Sequence, residues 1–135
     1  MAGLRGDTER FWAPLAAIVA AGVALRLVQT LAVAPSTGLF TDGFYFHWVA
    51  RYVADGHGFV NPAEMLFRAH AVPTASHPPL YTLVLAGATK LGITGDAAQR
   101  SLGCVFGAGT IVLTGLLGRR AAGRAVGLGA AAIAA

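Results

Sequence analysis

The sequence has few charged side chains and a single cysteine. Charged residues occupy 12% of its 135 positions, whereas 56% are hydrophobic and the mean hydropathy is +0.63. An average soluble domain has about 25% charged residues, so this composition offers too little polar surface for a water-soluble globule and predicts a membrane protein. The lone Cys104 excludes an internal disulfide and a cysteine-based metal site.

Motifs that identify common enzyme classes are also absent. The sequence has no phosphate-binding glycine loop, no dinucleotide fingerprint and no Ser-His-Asp spacing. The net charge of +4 comes from basic residues beside apolar stretches and not from a basic run, so we expect no nucleic-acid partner. The histidine spacings match no zinc motif, and we predict no metal ligands from them. The histidines are His47, His57, His70 and His77.

Long apolar stretches predict membrane-spanning helices. Residues 11–34 contain one charge, Arg26, and at about 1.5 Å per residue they are long enough to cross a bilayer. Residues 97–118 form a second predicted span, and 125–135 begin a third that stops short of the roughly 20 residues needed. We therefore expect the N-terminal piece of a longer multi-span protein. A cleaved signal peptide is the alternative for the first stretch, since 32–34 have a small-x-small pattern.

The distribution of basic residues predicts the orientation. The turn at 119–124 has three arginines and no acid, which is typical of a cytoplasmic loop, and the polar N-terminus, 1–10, favours the same side. The N-terminus and this turn lie together in the cytoplasm only if residues 79–92 do not cross the membrane. We therefore expect an all-α fold of polytopic transmembrane helices in the cell membrane, with 35–96 as an extracytoplasmic loop.

Two interfacial amphipathic helices are predicted within this loop. In 42–55, aromatic and aliphatic residues recur on one face and His47, Arg51 and Asp55 on another, a pattern typical of a helix at a membrane–water interface. Residues 79–92 follow a proline pair and are apolar for only about ten positions, which favours an interfacial or re-entrant helix. The apolar face of the first helix consists of Phe44, Tyr45, Trp48, Val49, Tyr52 and Val53.

Candidate reactive residues cluster in the same loop. Thr41 or Asp42 would cap the first predicted helix, and a carboxylate at that position also suits a general base or a metal ligand. His77 stands out among the histidines because Pro78 and Pro79 restrict the backbone beside it.

Three basic residues of the loop are candidates for holding a phosphate group. An arginine suits this role because its guanidinium binds phosphate through two parallel hydrogen bonds. Anchoring at lipid headgroups is the alternative for each of them. The candidates are Arg51, Arg68 and Lys90.

The order of these parts resembles a known family. A span with a late arginine precedes "FTDGFYFHWVARYVADGHGF", which is followed by "HPPLYTLVLAGATKLGI" and then by "AAQRSLGCVFGAGTIVLTGLLGRRAAG". This order resembles the N-terminal part of polytopic GT-C glycosyltransferases, specifically protein O-mannosyltransferases and lipid A aminoarabinose transferases. The resemblance implies transfer of a sugar from a polyprenyl-phosphate donor to an extracytoplasmic acceptor.

The resemblance also assigns roles to individual residues. Asp42 matches the family's first-loop acid and would activate the acceptor. The segment 77–80 matches the family's HPPL motif, and Arg100 matches an arginine at the outer start of the second span. With Arg51, the phosphate candidate named above, the expected substrate-binding residues are His77, Pro78, Pro79 and Arg100. Gly43 stands where many members have glutamate, so Asp42 would act alone. The cofactor is left unknown, since the family resemblance admits a divalent metal.

Two non-enzymatic classes remain as alternatives. One is a multi-span transporter or flippase-type subunit, and the other is a small membrane scaffold. Transporters place ionisable residues near the midplane of their spans, whereas the predicted spans carry arginines toward their ends. The expected partners are the lipid bilayer and the polyprenyl-phosphate sugar donor, with an unknown acceptor.

Overall fold

Every regular element in the described part of the chain is a helix. The computed structural model describes residues 2–33 and 38–135, with side chains from Arg10 onward in the first segment. Predicted boundaries that fall on residues 1 and 34–37 lie outside this part. For the described residues, the predicted all-α class is confirmed. The elements are α1 (Ala2–Val28), a π-helical turn (Gln29–Val33), α2 (Asp42–Ala54), α3 (Pro62–Arg68), α4 (Pro79–Lys90), α5 (Asp96–Ala122) and α6 (Arg124–Ala134).

The chain divides into two compact units. The terminal unit consists of 1–33 and 101–135, and the central unit consists of 34–100. Helix α5 begins in the central unit and ends in the terminal unit. All candidate site residues from the sequence analysis belong to the central unit.

Two helical stretches are long and apolar enough to cross a membrane. They are Arg10–Val33 and Asp96–Ala122, which overlap the predicted spans 11–34 and 97–118. Only 17% of the residues in the most apolar window of each are buried, whereas a core helix of a soluble protein is mostly buried. Helix α5 extends past the predicted end of the second span until Gly123, whose φ of 89° interrupts the helix.

The core of the terminal unit is small and depends on glycine. A Cβ atom on Gly127 would lie 2.6 Å from the carbonyl oxygen of Gly115 and 2.7 Å from the backbone nitrogen of Arg119. Helices α5 and α6 therefore touch through their backbones, which only a residue without a side chain allows. The buried core residues around this contact are Phe11, Leu15, Ile111 and Ala131.

Arg26, the charge within the first predicted span, is hydrogen-bonded to backbone oxygens of the terminal unit. Its guanidinium donates to the carbonyls of Gly22 at 3.1 Å, Ala134 at 3.1 Å and Ala135 at 2.6 Å. A Cβ atom on Gly107 would lie 2.8 Å from Arg26 Nε, so this glycine makes room for the side chain. The carbonyl dipoles offset part of the cost of placing a guanidinium in apolar surroundings.

The aromatic face of α2 packs against α4 inside the central unit. The sequence analysis assigned this face to a membrane surface, and the structure corrects that interpretation: its members are mostly buried by protein. The reason is that a helix with one apolar face has the same periodicity whether that face meets lipid or another helix. The residues of this face that are at most 9% exposed are Phe44, Tyr45, Val49 and Tyr52.

The connection between α2 and α4 folds back on itself. Gly56 adopts a φ of 88° just after α2, and an isolated antiparallel bridge then joins Val60 to Pro73. Beside this bridge, the Thr74 N–H donates to the Phe59 carbonyl at 2.9 Å. The folded connection returns the chain to the N-terminal end of α2, just before α4 begins.

Candidate functional site

The structure brings Asp42 and His77 together. Asp42 is the first residue of α2, and His77 directly precedes the proline pair that opens α4. Although 35 positions separate them in sequence, His77 Nε2 lies 3.1 Å from Asp42 Oδ1. The Asp42 side chain is 85% exposed and that of His77 is 27% exposed. A carboxylate open to water is therefore oriented by a largely buried imidazole.

Thr41 leaves the Asp42 carboxylate free for this contact. The Thr41 hydroxyl accepts a hydrogen bond from the Phe44 N–H at 3.3 Å and donates to the Gly38 carbonyl at 2.8 Å. Of the two capping residues that the sequence allowed, Thr41 is the N-cap. Asp42 lies in the first turn, where the helix dipole also stabilises a negative charge.

His77 is held in place by aromatic rings and by the prolines that follow it. Its ring centroid lies 4.1 Å from that of Tyr45 and 5.1 Å from that of Phe46. Pro78 is the N-cap of α4 and Pro79 is its first residue, so the backbone after His77 has a restricted conformation. The ring can therefore point Nε2 at the carboxylate without large rotational freedom.

Both ring nitrogens of His77 are chemically defined by these surroundings. An ionised carboxylate only accepts hydrogen bonds, so the Nε2 that faces Asp42 carries a proton. Nδ1 is buried and has no hydrogen-bond partner in the part of the chain that the structure describes. Nε2 is therefore the donor in the contact with Asp42.

A groove of about 240 Å³ lies beside the pair. Tyr45, which is only 9% exposed, forms part of its wall, and the Tyr45 hydroxyl is buried with no hydrogen-bond partner among the residues of 2–33 and 38–135. A buried hydroxyl without a partner costs free energy unless a ligand satisfies it. The groove is lined by Phe40, Thr41, Asp42, Phe44, Tyr45, Asn61, Pro62, Ala63, Ser76 and His77.

A second, larger cavity shares one wall with this groove. Its volume is about 510 Å³ and its surface is mainly apolar. Ser76 and His77 border both cavities, so the imidazole stands between them. The larger cavity is lined by Phe59, Thr74, Ala75, Ser76, His77, Pro78 and Pro79.

The predicted substrate-binding arginines lie elsewhere in the central unit. Arg51 is nine positions after Asp42 on α2, about 13 Å along the helix axis. Its guanidinium lies 5.2 Å from the centre of the Trp48 ring. Arg100 forms an ion pair with Asp96 at 3.1 Å and borders a separate, smaller cavity. Of the predicted site residues, the structure thus gathers Asp42, His77, Pro78 and Pro79 but neither arginine.

The other phosphate candidates are also apart from the groove. Arg68 pairs with Glu64 on α3 at 3.1 Å, and Lys90 is exposed in the last turn of α4. Among the described side chains, those of 10–33 and 38–135, no three His, Cys, Asp or Glu residues lie close enough together to hold a metal ion. Asp42 and His77 alone offer two donor groups. They do not form the three- or four-ligand set typical of a dedicated protein metal site, and we derive no step through a metal.

Comparison of the chain with protein-family models, with curated proteins and with solved structures found no match.

Sequence reasoning missed a second polar cluster, built around Gln99. This side chain is 1% exposed and hydrogen-bonds to His47 Nδ1 at 2.8 Å. In the sequence Gln99 is only a polar interruption near the start of an apolar run, and His47 is only a member of the polar row of α2. The available signal was a glutamine in the first turn of a predicted span, where burial forces it to find partners.

The pKa of one tyrosine in the central unit is shifted. Burial raises the pKa of the Tyr52 phenol above its ordinary value of 10.0, and the nearby Arg51 guanidinium opposes part of this effect. Tyr52 belongs to the packed face of α2 and lies outside the groove. The shift reflects packing and has no place in the chemistry of Asp42 and His77.

Proposed function

We propose that this chain is the N-terminal part of a membrane glycosyltransferase, which takes a sugar from a polyprenyl phosphate and transfers it to an acceptor outside the cytoplasm. The observation that carries the proposal is the 3.1 Å contact between Asp42 and His77 beside a groove with aromatic walls. Two separate motifs that resemble GT-C glycosyltransferases, the first-loop acid and HPPL, supply the two partners of this contact.

Asp42 acts as the general base in the proposed reaction. His77 donates a hydrogen bond to Oδ1, which leaves Oδ2 to take the proton of the acceptor hydroxyl. The acceptor oxygen forms a bond to the anomeric carbon of the sugar as the bond from that carbon to the phosphate oxygen breaks. The polyprenyl phosphate leaves with that bonding electron pair. The high exposure of Asp42 suits an acceptor that arrives from water.

The two cavities that His77 borders differ in size and polarity. The groove next to Asp42, at about 240 Å³, lies just below the roughly 300–1,000 Å³ of common small-molecule sites. It suits one sugar residue or one acceptor side chain. The larger apolar cavity on the other side of His77 suits a less polar part of a substrate.

A patch of exposed apolar side chains gives the central unit a surface for the bilayer. Phe40 and Phe67 are 71% and 60% exposed, and their ring centroids lie 5.9 Å apart. Phe40 has a φ of 61°, a strained conformation for a bulky residue. Leu39 and Leu66 extend the patch. The patch follows the first candidate span by a few residues of chain, so we place these four side chains at lipid-headgroup depth in a multi-pass cell-membrane protein.

Spin labels test this membrane contact. In a full-length background in which Cys104 and any other cysteine are replaced by serine, labels are attached at Phe40→Cys, Phe67→Cys and, as a control, the exposed polar position His70→Cys. We expect the first two labels to collide more often with oxygen than with a water-soluble nickel chelate, and the control label to show the opposite. Equal exposure of all three labels to the chelate would show that the patch does not contact the bilayer.

The test of the function is a transfer assay on the full-length protein with polyprenyl-phosphate sugars. Asp42→Asn keeps the shape of the side chain but removes the base, so the rate should fall by about 10²- to 10⁴-fold. His77→Ala should lower the rate as well, since the carboxylate loses its orienting donor.

Two matched variants control for nonspecific damage. Glu64→Gln neutralises another acid in the first turn of a helix, and His70→Ala removes another loop histidine; neither residue borders the groove. Both should transfer at wild-type rates. If Asp42→Asn transferred sugar as fast as the wild type, Asp42 would not be the base and the proposal would fail.

A further inference from the structure

A buried glutamine, Gln99, organises a series of hydrogen bonds in the central unit. The Gln99 Nε2 group donates to the Thr89 hydroxyl at 2.8 Å and to the Ile93 carbonyl at 3.1 Å. The Thr89 hydroxyl in turn donates to the Leu85 carbonyl at 2.9 Å. The remaining polar atom of the amide, Oε1, lies 2.8 Å from His47 Nδ1. Each hydrogen bond in this series around Gln99 has a defined donor and acceptor, as the next step shows for His47.

This direction sets the protonation of His47. A carbonyl oxygen only accepts, so the end of the Gln99 amide that faces Ile93 must be the NH₂ group. Its oxygen then faces His47 and can only accept, so Nδ1 carries the proton. In a neutral imidazole, Nε2 is left with a lone pair and becomes a hydrogen-bond acceptor. The hydrogen bond of His47 thus uses a protonated Nδ1, whereas His77 donates through Nε2.

His47 borders a small cavity with further polar groups. The cavity has a volume of about 70 Å³, and Asp96 and Arg100 form part of its lining as an ion pair with a 3.1 Å separation. Phe46 and Tyr81 form an aromatic wall, with ring centroids 5.1 Å apart and planes at 81°. The cavity therefore combines a lone-pair acceptor, a carboxylate, a guanidinium and two aromatic rings.

This combination suits a neutral hydroxyl group better than an anion. A hydroxyl can donate to His47 Nε2 or to the Asp96 carboxylate, and it can accept from the Arg100 guanidinium. A phosphate would instead face a lone pair and a carboxylate, both of which repel it. At about 70 Å³ the cavity is much smaller than the groove beside Asp42, at about 240 Å³, and it suits the hydroxyl edge of a sugar.

We propose that this cavity is a subsite for the hydroxyl groups of a saccharide, with His47 Nε2 as the acceptor that the buried Gln99 holds in the required tautomer. The inference rests on the proposed glycosyltransferase function for its substrate class. Phe46 connects the two places, since its ring lies 5.1 Å from the His77 ring and 5.1 Å from the Tyr81 ring.

The first measurement is the tautomer itself, read from the ¹⁵N resonances of the histidine rings in the full-length protein. We expect a protonated Nδ1 and an unprotonated Nε2 for His47, assigned by the loss of its signals in His47→Gln. Gln99→Leu removes the acceptor and should shift His47 toward the Nε2-protonated form. A wild-type His47 protonated at Nε2 would overturn the inference.

The second measurement is binding of methyl glycosides of common hexoses and pentoses, followed by the His47 Nε2 resonance. A glycoside hydroxyl that donates to Nε2 should move this signal, and His47→Phe or Gln99→Leu should weaken binding by about three- to tenfold, the effect of one neutral hydrogen bond. His57→Gln, which changes an exposed histidine, should bind as the wild type does. Unchanged binding in His47→Phe, or a shift caused by inorganic phosphate but not by glycosides, would contradict the proposal.

These outcomes are separable from failure of the proposed function. Glycoside binding at His47 without any transfer activity would contradict the glycosyltransferase function and support the subsite. If transfer depends on Asp42 but its kcat and KM are unchanged in His47→Phe, the subsite is contradicted and the glycosyltransferase function is supported.

Discussion

The terminal and central units differ in what their apolar residues pack against. The terminal unit exposes large apolar side chains along its helices, such as Leu25 at 66% and Leu117 at 67%, and buries only a small core. The central unit buries the aromatic face of α2 and arranges its histidines in directed hydrogen bonds. Apolar residues thus form a lipid-compatible exterior in the terminal unit and a packed support for polar groups in the central unit.

The contact between α5 and α6 is the place where the packing of the terminal unit is most easily broken. Gly127→Leu would force a side chain against the backbone of α5, which cannot move as a flexible side chain does. We expect a loss of at least about 3 kcal/mol in the free energy of unfolding, the upper end of overpacking costs. Gly129→Leu, on the same helix with open space around its Cβ position, is the control and should change little. Thermal unfolding of the full-length protein in detergent measures both, and equal melting temperatures would contradict the backbone contact.

The packed face of α2 sharpens the comparison from the central side. Val49 is 0% exposed, so Val49→Ala should remove about 2 kcal/mol of stability through lost burial and a new cavity. Val53→Ala deletes the same atoms one helical turn later, at a partly exposed position, and should cost clearly less. The two variants are compared by the same unfolding assay. A larger loss of stability for Val53→Ala would contradict the packing of this face against α4 and favour its contact with the membrane surface.

The buried phenol of Tyr52 makes the stability of the central unit depend on pH in the alkaline range. Because burial raises its pKa in the folded state, the neutral phenol stabilises the fold at pH values below its unfolded pKa of about 10, and this stabilisation is lost as the pH rises through the folded value. We expect Tyr52→Phe to flatten the fall in melting temperature above about pH 10. An identical alkaline profile for wild type and variant would show that other groups determine it.

The smallest effect is expected at an exposed ion pair of the central unit. Glu64 and Arg68 are 3.1 Å apart on the surface of α3, where water and side-chain entropy weaken such pairs. Glu64→Gln should therefore change the free energy of unfolding by less than about 1 kcal/mol. A loss comparable to that of Val49→Ala would mean that α3 is held mainly by its surface charges.

Local signals allowed much of the fold to be predicted from sequence. The proline pair at 78–79 predicts where α4 begins, and Thr41 and Asp42 predict the start of α2, because restricted backbone angles and capping side chains act on neighbouring residues. Long apolar runs likewise indicate the two candidate spans. The all-α class follows from these signals, since each depends on a few consecutive residues.

Long-range contacts were beyond such reasoning. The orientation of the aromatic face of α2 was predicted wrongly, because periodicity does not reveal what covers a face. The contact of Asp42 with His77 depends on the bridge between Val60 and Pro73, which no local motif specifies. The burial of Gln99 likewise requires three segments to meet.

The most direct test of the central claim is a double-mutant cycle of Asp42 and His77 in the transfer assay. If the two side chains work as one unit, Asp42→Asn combined with His77→Ala should transfer sugar about as slowly as Asp42→Asn alone, because the imidazole acts through the carboxylate. Rate losses that multiply in the double variant would show that the two residues act independently and would contradict the account.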